Sequence, residues 1–156
     1  AAAARAGAPI GHDFCVISLS DLLTPRETIL GRVEAAAAGD FVVAFYNPVS
    51  TKRRELLDRA REILLRSRPA DTPVLLAARL GRPGEHLEFR TLETLRTDEV
   101  DMLTVVLVGS SQTRLVDTAD GPRMFTPRGY AAKIEKHPTD SVSNRRVPRQ
   151  ALDHFA

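Results

Sequence analysis

The chain has 156 residues, 22 of them basic and 20 acidic, with one Cys, no Trp and 43% apolar residues. This is the composition of a single globular domain large enough to bury a core, and it excludes a disordered, fibrous or disulfide-stapled chain. No apolar run approaches the roughly 20 residues of a membrane span, and the Ala-rich start lacks the basic end and long apolar stretch of a signal peptide, so a cytoplasmic protein with no membrane partner is expected.

The elements follow in chain order. Residues 1–7 read as the end of a helix stopped by Gly7. Its start, Ala1-Ala2-Ala3-Ala4-Arg5, has no cap before it and no Met at position 1, which suggests a piece of a longer protein. Asp13 to Leu19 is a short β-branched run and predicts a strand. Thr24-Pro25-Arg26-Glu27 then opens a helix, with Thr24 as cap and Glu27 completing a capping box. Ile29, Val33, Ala36 and Ala37 follow at helical spacing up to Gly39. Phe41 to Tyr46 is almost unbroken apolar sequence, as in a strand covered on both faces.

After the loop Asn47-Pro48-Val49-Ser50-Thr51, a helix from about Lys52 to Ser67 carries Leu56, Leu57, Ala60, Ile63 and Leu64 on one face. Pro73 to Ala78 is a second buried strand, Gly81-Arg82-Pro83-Gly84 a turn, and His86 to Arg90 an exposed strand. Residues 91–101 hold at most one helical turn. Met102 to Val108 is the most β-like run, ended by Gly109. Residues 131–156 read as a loosely ordered tail. That tail holds five basic and three acidic residues, while residues 1–130 balance at 17 of each, so the small excess of charge predicts no nucleic-acid partner.

Buried strands alternating with helices indicate an α/β layered domain. In such sheets ligands gather where loops leave the strand ends. The loops at Tyr46-Asn47-Pro48, Ala78-Arg79-Leu80-Gly81 and Gly109-Ser110-Ser111-Gln112-Thr113 are expected to share one such end. Generic catalytic and phosphate-binding motifs are absent. His12-Asp13 is either a base with its carboxylate or a turn; neighbours on extended chain point to opposite faces, which favours the turn. Cys15, inside the first strand, reads as a buried thiol, and one Cys rules out a Cys-cluster metal site, so no metal is expected. Asp21, at a strand end before a helix, suits either a ligand contact or a turn. Lys52-Arg53-Arg54 is either an anion site or a solvated basic face.

Several of these segments together resemble one family. Gly11-His12-Asp13-Phe14-Cys15-Val16-Ile17-Ser18-Leu19-Ser20-Asp21-Leu22-Leu23-Thr24-Pro25, Ala44-Phe45-Tyr46-Asn47-Pro48, Gly81-Arg82-Pro83, Asp101-Met102-Leu103-Thr104, Val108-Gly109-Ser110-Ser111-Gln112-Thr113 and Phe125-Thr126-Pro127-Arg128-Gly129-Tyr130 are similar, in order, to the second half of precorrin-3B C(17)-methyltransferases. These belong to the tetrapyrrole methylase superfamily. The resemblance implies a C-terminal domain with a mixed sheet of about five strands flanked by helices. Residues 1–10 would then end the helix between two halves, and residues 11–130 would form the domain.

It further implies S-adenosyl-L-methionine as cofactor, held between the two halves, and a precorrin-type tetrapyrrole as substrate, in a homodimer. Matched position by position, Tyr46, Asn47, Arg79, Leu80 and Thr104 face the cofactor. Arg79 and Leu80 would do so through backbone groups. Ser20, Asp21, Arg82, Ser110, Gln112 and Thr113 face the substrate, and Arg82 and Arg53 suit its carboxylates. The chain departs from the family pattern at Ala78-Arg79-Leu80, where Arg-Asn-Ala is typical, at Ser110, where Asn is frequent, and at Phe45, where Leu is. The implied reaction is methyl transfer to carbon 17 with ring contraction. The alternative is a non-catalytic tetrapyrrole-binding or dimerisation module of the same fold.

Overall fold

A computed structural model of the chain describes residues 1–49 and 54–128. The expected helix start at Lys52, the carboxylate partner Arg53, the motif end Gly129-Tyr130 and the tail at 131–156 lie outside the described residues. A short helix α1 (Ala2–Ala6) leads into β1 (Gly7–Ala8) and β2 (Phe14–Ser18). Then come α2 (Arg26–Ala38), β3 (Val42–Tyr46), α3 (Glu55–Leu65), β4 (Pro73–Ala78) and β5 (His86–Thr91). A 3-10 turn at Thr97–Glu99 precedes β6 (Thr104–Val108), β7 (Arg114–Thr118) and β8 (Gly121–Phe125).

The strands form a five-stranded mixed sheet, order β2-β3-β6-β4-β5, and a three-stranded sheet, order β1-β8-β7. The α/β class and the five-stranded sheet are as expected. The small sheet is an addition, since no strand is expected from the sequence at β1, β7 or β8. In the main sheet β2 and β3 run parallel, whereas β6 runs antiparallel to both β3 and β4. This direction decides which loops can meet.

Alternation along the strands divides the core. Ile17, Val43, Phe45, Val74, Leu76, Val106 and Val108 face α2 and α3, where they meet Ile29, Val33, Leu57, Ala60 and Leu64. The apolar stripe of α3 is buried as its spacing predicts. The opposite face packs Val42, Leu75, Ala77 and Leu107 against Ala2, Ala6 and Met124. It leaves Phe14 and Val16 exposed. Burying each Leu, Ile or Val contributes about 1.5–3 kcal/mol, so both layers matter to stability.

One helix start differs from its sequence reading. Pro25, not Thr24, occupies the cap position of α2, and no side chain caps the helix. The Thr24-to-Glu27 box does not form. Asp21 instead accepts from Arg26 Nε at 2.8 Å, which keeps a carboxylate close to the helix start.

Beneath the sheet, Arg68 is fully buried at its side chain. It donates to the carbonyls of Phe41 at 2.6 Å, Gly109 at 2.5 Å and Ala36 at 3.3 Å. These carbonyls belong to the end of α2, the entry of β3 and the exit of β6. Burial pulls the Arg68 pKa down, and the nearby Asp40 and Cys15 oppose this. Arg68→Ala removes donors from three backbone acceptors and opens a cavity. The expected loss is about 3–5 kcal/mol of stability, read as a lower urea midpoint with unchanged slope.

Candidate functional site

The parallel register pairs Ser18 with Tyr46, and the antiparallel register pairs Ala78 with Thr104. The ends of β2, β3 and β4 and the start of β6 therefore lie along one rim. This rim brings together Ser20, Asp21, Tyr46, Asn47, Arg79, Leu80, Arg82 and Thr104. The third loop is a correction. Because β6 runs antiparallel, Ser110, Gln112 and Thr113 stand at the opposite end of the sheet, beside the starts of β3 and β4. Five residues of strand, at about 3.3 Å each, separate the two ends.

Two turns shape the rim. Asn47 has φ 48° and Arg79 φ 53°, so both β3 and β4 end on a residue in the left-handed region. Asn tolerates this conformation; Arg does so at a cost, because its Cβ crowds the following carbonyl. Residues held in such conformations cluster at functional sites. Arg79 is kept there by its N–H, which donates to Leu103 O at 3.0 Å, and by its carbonyl, which accepts from Arg82 N at 2.9 Å.

Thr104 is buried, and its hydroxyl donates to Asp101 Oδ1 at 2.7 Å. The same oxygen accepts from Leu103 N at 2.9 Å. Asp101 Oδ2 stands 3.9 Å from Arg79 Nη2. The Thr104 hydroxyl, the Leu103 N–H and the Arg79 charge together hold the Asp101 carboxyl below the usual carboxylate range. Asp101 was not singled out as a site residue. The signal was there, because Asp-x-x-Thr before a strand is a side-chain-to-backbone turn.

The apolar part of the rim is open. Tyr46 and Leu103 are exposed, and Leu80 is half-buried. Ser20 donates its N–H to Ser18 Oγ at 3.3 Å. Asp21 is nearly buried at its side chain and engaged with Arg26, which also reaches Glu55 Oε2 at 2.9 Å. Its first role is to anchor α2. The loop after β4 is tied back through Glu85, whose Oε2 accepts from Gly81 N at 2.5 Å and from Arg5 Nη1 at 2.7 Å.

The opposite end is a polar clasp. Thr113 Oγ1 accepts from Ser110 N at 2.8 Å and lies 2.8 Å from Thr126 Oγ1, which donates to Pro9 O at 2.5 Å. Ser111 donates N–H and hydroxyl to the two oxygens of Asp40, at 2.8 and 2.6 Å. Gly109 permits this closeness: a Cβ there would stand 2.5 Å from Thr113 Cβ. A cleft of about 170 Å³ lies alongside, lined in part by His12, Asp13, Asp40 and Gln112. His12 Nδ1 accepts from Asp13 N at 2.8 Å, so this pair forms a turn. The clasp fastens β6 to the segment entering β2. Cys15 is half-buried, and burial pushes its thiol pKa up. Among the described residues no group of three or more His, Cys, Asp or Glu could hold a metal. No helix among them is long and apolar enough to cross a membrane.

Comparison with known proteins adds the following. The profile of Tetrapyrrole (Corrin/Porphyrin) Methylases matches residues 1–96. A Sinorhizobium precorrin-3B C(17)-methyltransferase is 46% identical over 132 residues, 84% of this chain and 52% of that protein. A Priestia megaterium cobalt-factor III methyltransferase is 47% identical over 134 residues, 86% of this chain and 24% of that protein. The crystal structure of the methyltransferase CobJ superposes with a TM-score of 0.73 at 44% identity, over 81% of this chain and 51% of that one. The chain thus spans about half, or less, of the relatives it matches.

Asp101 predicts a pH dependence. Its folded pKa lies below its ordinary value of 3.8, so its contribution is fully present above that value and lost as pH falls through the lowered one. Urea titrations between pH 6 and pH 2.5 should show Asp101→Asn losing this part of the acid destabilisation while keeping the Leu103 turn bond. An unchanged slope below pH 4 would remove Asp101 from the account.

Proposed function

The chain belongs to the tetrapyrrole (corrin/porphyrin) methylase family, and on that premise we propose that it carries the C-terminal half of an S-adenosyl-L-methionine-dependent methyltransferase. Residues 1–10 end the connection between the halves, and residues 11–130 form the domain. The substrate is precorrin-3B or its cobalt form, methylated at carbon 17 with ring contraction. The observation that carries the reading is 46% identity over 132 residues to a Sinorhizobium precorrin-3B C(17)-methyltransferase.

The rim fits the cofactor. An adenosyl group needs apolar surface next to backbone donors and acceptors, and a sulfonium is well placed near an aromatic face. Tyr46, Leu80 and Leu103 offer the apolar and aromatic surface. The left-handed turns at Asn47 and Arg79 offer backbone groups, and Thr104 with Asp101 fixes the floor between them. When bound, S-adenosyl-L-methionine supplies an activated methyl group with its own leaving group.

What remains for the chain is to bind, orient and exclude water. Holding two reactants in line contributes roughly 7–11 kcal/mol to lowering a barrier, and this needs no protein nucleophile. Ser20 and Arg82 flank the turns and are proposed to face the tetrapyrrole. Ser110, Gln112 and Thr113 are left out of the proposed cleft, because they stand at the other end of the sheet. A cytoplasmic homodimer completes the proposal, and exposed Phe14, Val16 and Phe125 are surface that an assembly would cover.

Calorimetric titration with S-adenosyl-L-methionine tests the reading. This chain alone should give little heat. Joined to the remaining half of the Sinorhizobium protein, it should bind, and Thr104→Val should weaken binding about tenfold. No heat from the joined protein would overturn the enzyme reading and favour a non-catalytic module.

A further inference from the structure

We propose that the Arg79 side chain is a specificity-determining contact, reading a carboxylate on the ligand that occupies the rim. This deepens the function proposed above and rests on it for the location of the ligand. There the backbone of Arg79 shapes the turn; here its guanidinium recognises the ligand.

The first observation is strain. At φ 53° a long L side chain is disfavoured by about tenfold in equilibrium relative to glycine, and Arg has no short polar group to bond its own backbone as Asn does. The turn is satisfied by Leu103 O and Arg82 N, both backbone groups, so it asks for no arginine.

The second observation is that the guanidinium's hydrogen-bond donors are left available, its charge pairing only loosely with Asp101 at 3.9 Å. The Arg79 side chain is 49% exposed, and its guanidinium donates no hydrogen bond among the described residues. Arg26, Arg61, Arg68, Arg90 and Arg96 all donate to carbonyls or carboxylates. The nearest acid, Asp101, stands 3.9 Å away, and its other oxygen is taken by Thr104 and Leu103. Glu85, on the same loop, is engaged by Gly81 N and Arg5.

The third observation is fit. A Cβ at Gly84 would stand 3.3 Å from Arg79 Nη1 and 3.7 Å from Cδ, so the guanidinium lies along the turn that glycine keeps low. Arg82, three residues on in that turn, is also exposed. Two arginines on one turn beside an apolar floor suit a flat ligand with acidic arms, because the guanidinium fork matches a carboxylate with two parallel hydrogen bonds. The carboxylate belongs either to the tetrapyrrole or to the amino-acid end of the cofactor, and the two are separable.

The test uses the 156-residue chain with three probes: uroporphyrin, which has eight carboxylates, its octamethyl ester, and S-adenosyl-L-methionine. The joined protein serves for the cofactor. The wild type should bind uroporphyrin more tightly than the ester. Arg79→Asn should weaken uroporphyrin binding about tenfold while raising the melting temperature by about 3 °C, since Asn relieves the strain. Arg79→Lys keeps the charge and should retain most of the affinity. Weakening confined to S-adenosyl-L-methionine would support the contact and assign the carboxylate to the cofactor. Equal wild-type affinity for acid and ester would exclude the tetrapyrrole as the source of the carboxylate, and unchanged affinity of Arg79→Asn for both ligands would overturn the proposal. Failure of the joined wild-type protein to bind S-adenosyl-L-methionine would sink the enzyme reading instead, whatever Arg79 does with uroporphyrin.

Discussion

The arrangement depends on one strand inserted against the grain. β6 runs antiparallel between β3 and β4, so its start, not its end, joins the carboxyl ends of its neighbours. Thr104 thereby reaches the rim beside Asn47 and Arg79, while Gly109 to Thr113 goes to the far end. An all-parallel sheet would have gathered all three loops and exchanged these roles. Reversing one strand separates the sheet into an open, partly apolar rim and a closed, hydrogen-bonded clasp.

The two ends differ in what their polar groups do. At the clasp, hydroxyls and carboxylates are spent on each other and on backbone: Thr113 on Ser110, Thr126 on Pro9, Asp40 on Ser111. Arg68 extends the same logic inward by gathering three carbonyls from three elements. Hydrogen-bonded buried groups rigidify a fold; the Arg68 Nε is the exception in this cluster, buried with no hydrogen bond among the described residues, at 3.9 Å from Asp40 Oδ1. At the rim, exposure is tolerated: an open tyrosine, and an Arg79 guanidinium whose one ion-pair partner among the described residues is Asp101 at 3.9 Å. A rigid far end lets the near end hold these unfavourable features in place.

Much of this was legible in the residues. β4 was read at its observed bounds, because six consecutive buried residues leave no ambiguity of face. The stripe of α3 was equally plain. β7 was missed because all five of its residues are exposed, so it shows no alternation between core and solvent. The Asp120-Gly121 pair at the start of β8, beside the two-residue loop Ala119-Asp120, was the available turn signal. The failed box at Thr24 shows how a proline at the cap position leaves the helix start without a side-chain cap. The direction of β6 was not legible, since an apolar run has no polarity and its pairing partners are distant in sequence. For the same reason the rim was half recovered: Tyr46, Asn47, Arg79 and Thr104 were grouped correctly with one another, and Ser110, Gln112 and Thr113 were grouped with them in error. Arg68 resembled any arginine after a helix, because burial of a cation depends on tertiary partners.

The central claim is that the rim formed by β3, β4 and the start of β6 is this chain's half of the cofactor site. Direct photo-crosslinking of isotopically labelled S-adenosyl-L-methionine to the joined protein, followed by peptide mapping, tests it most directly. The account predicts that label on this chain falls in the peptides containing Tyr46 and Asn47 or residues 101–104. Label in the peptides containing His12 or residues 110–113 would place the cofactor at the clasp and contradict the account.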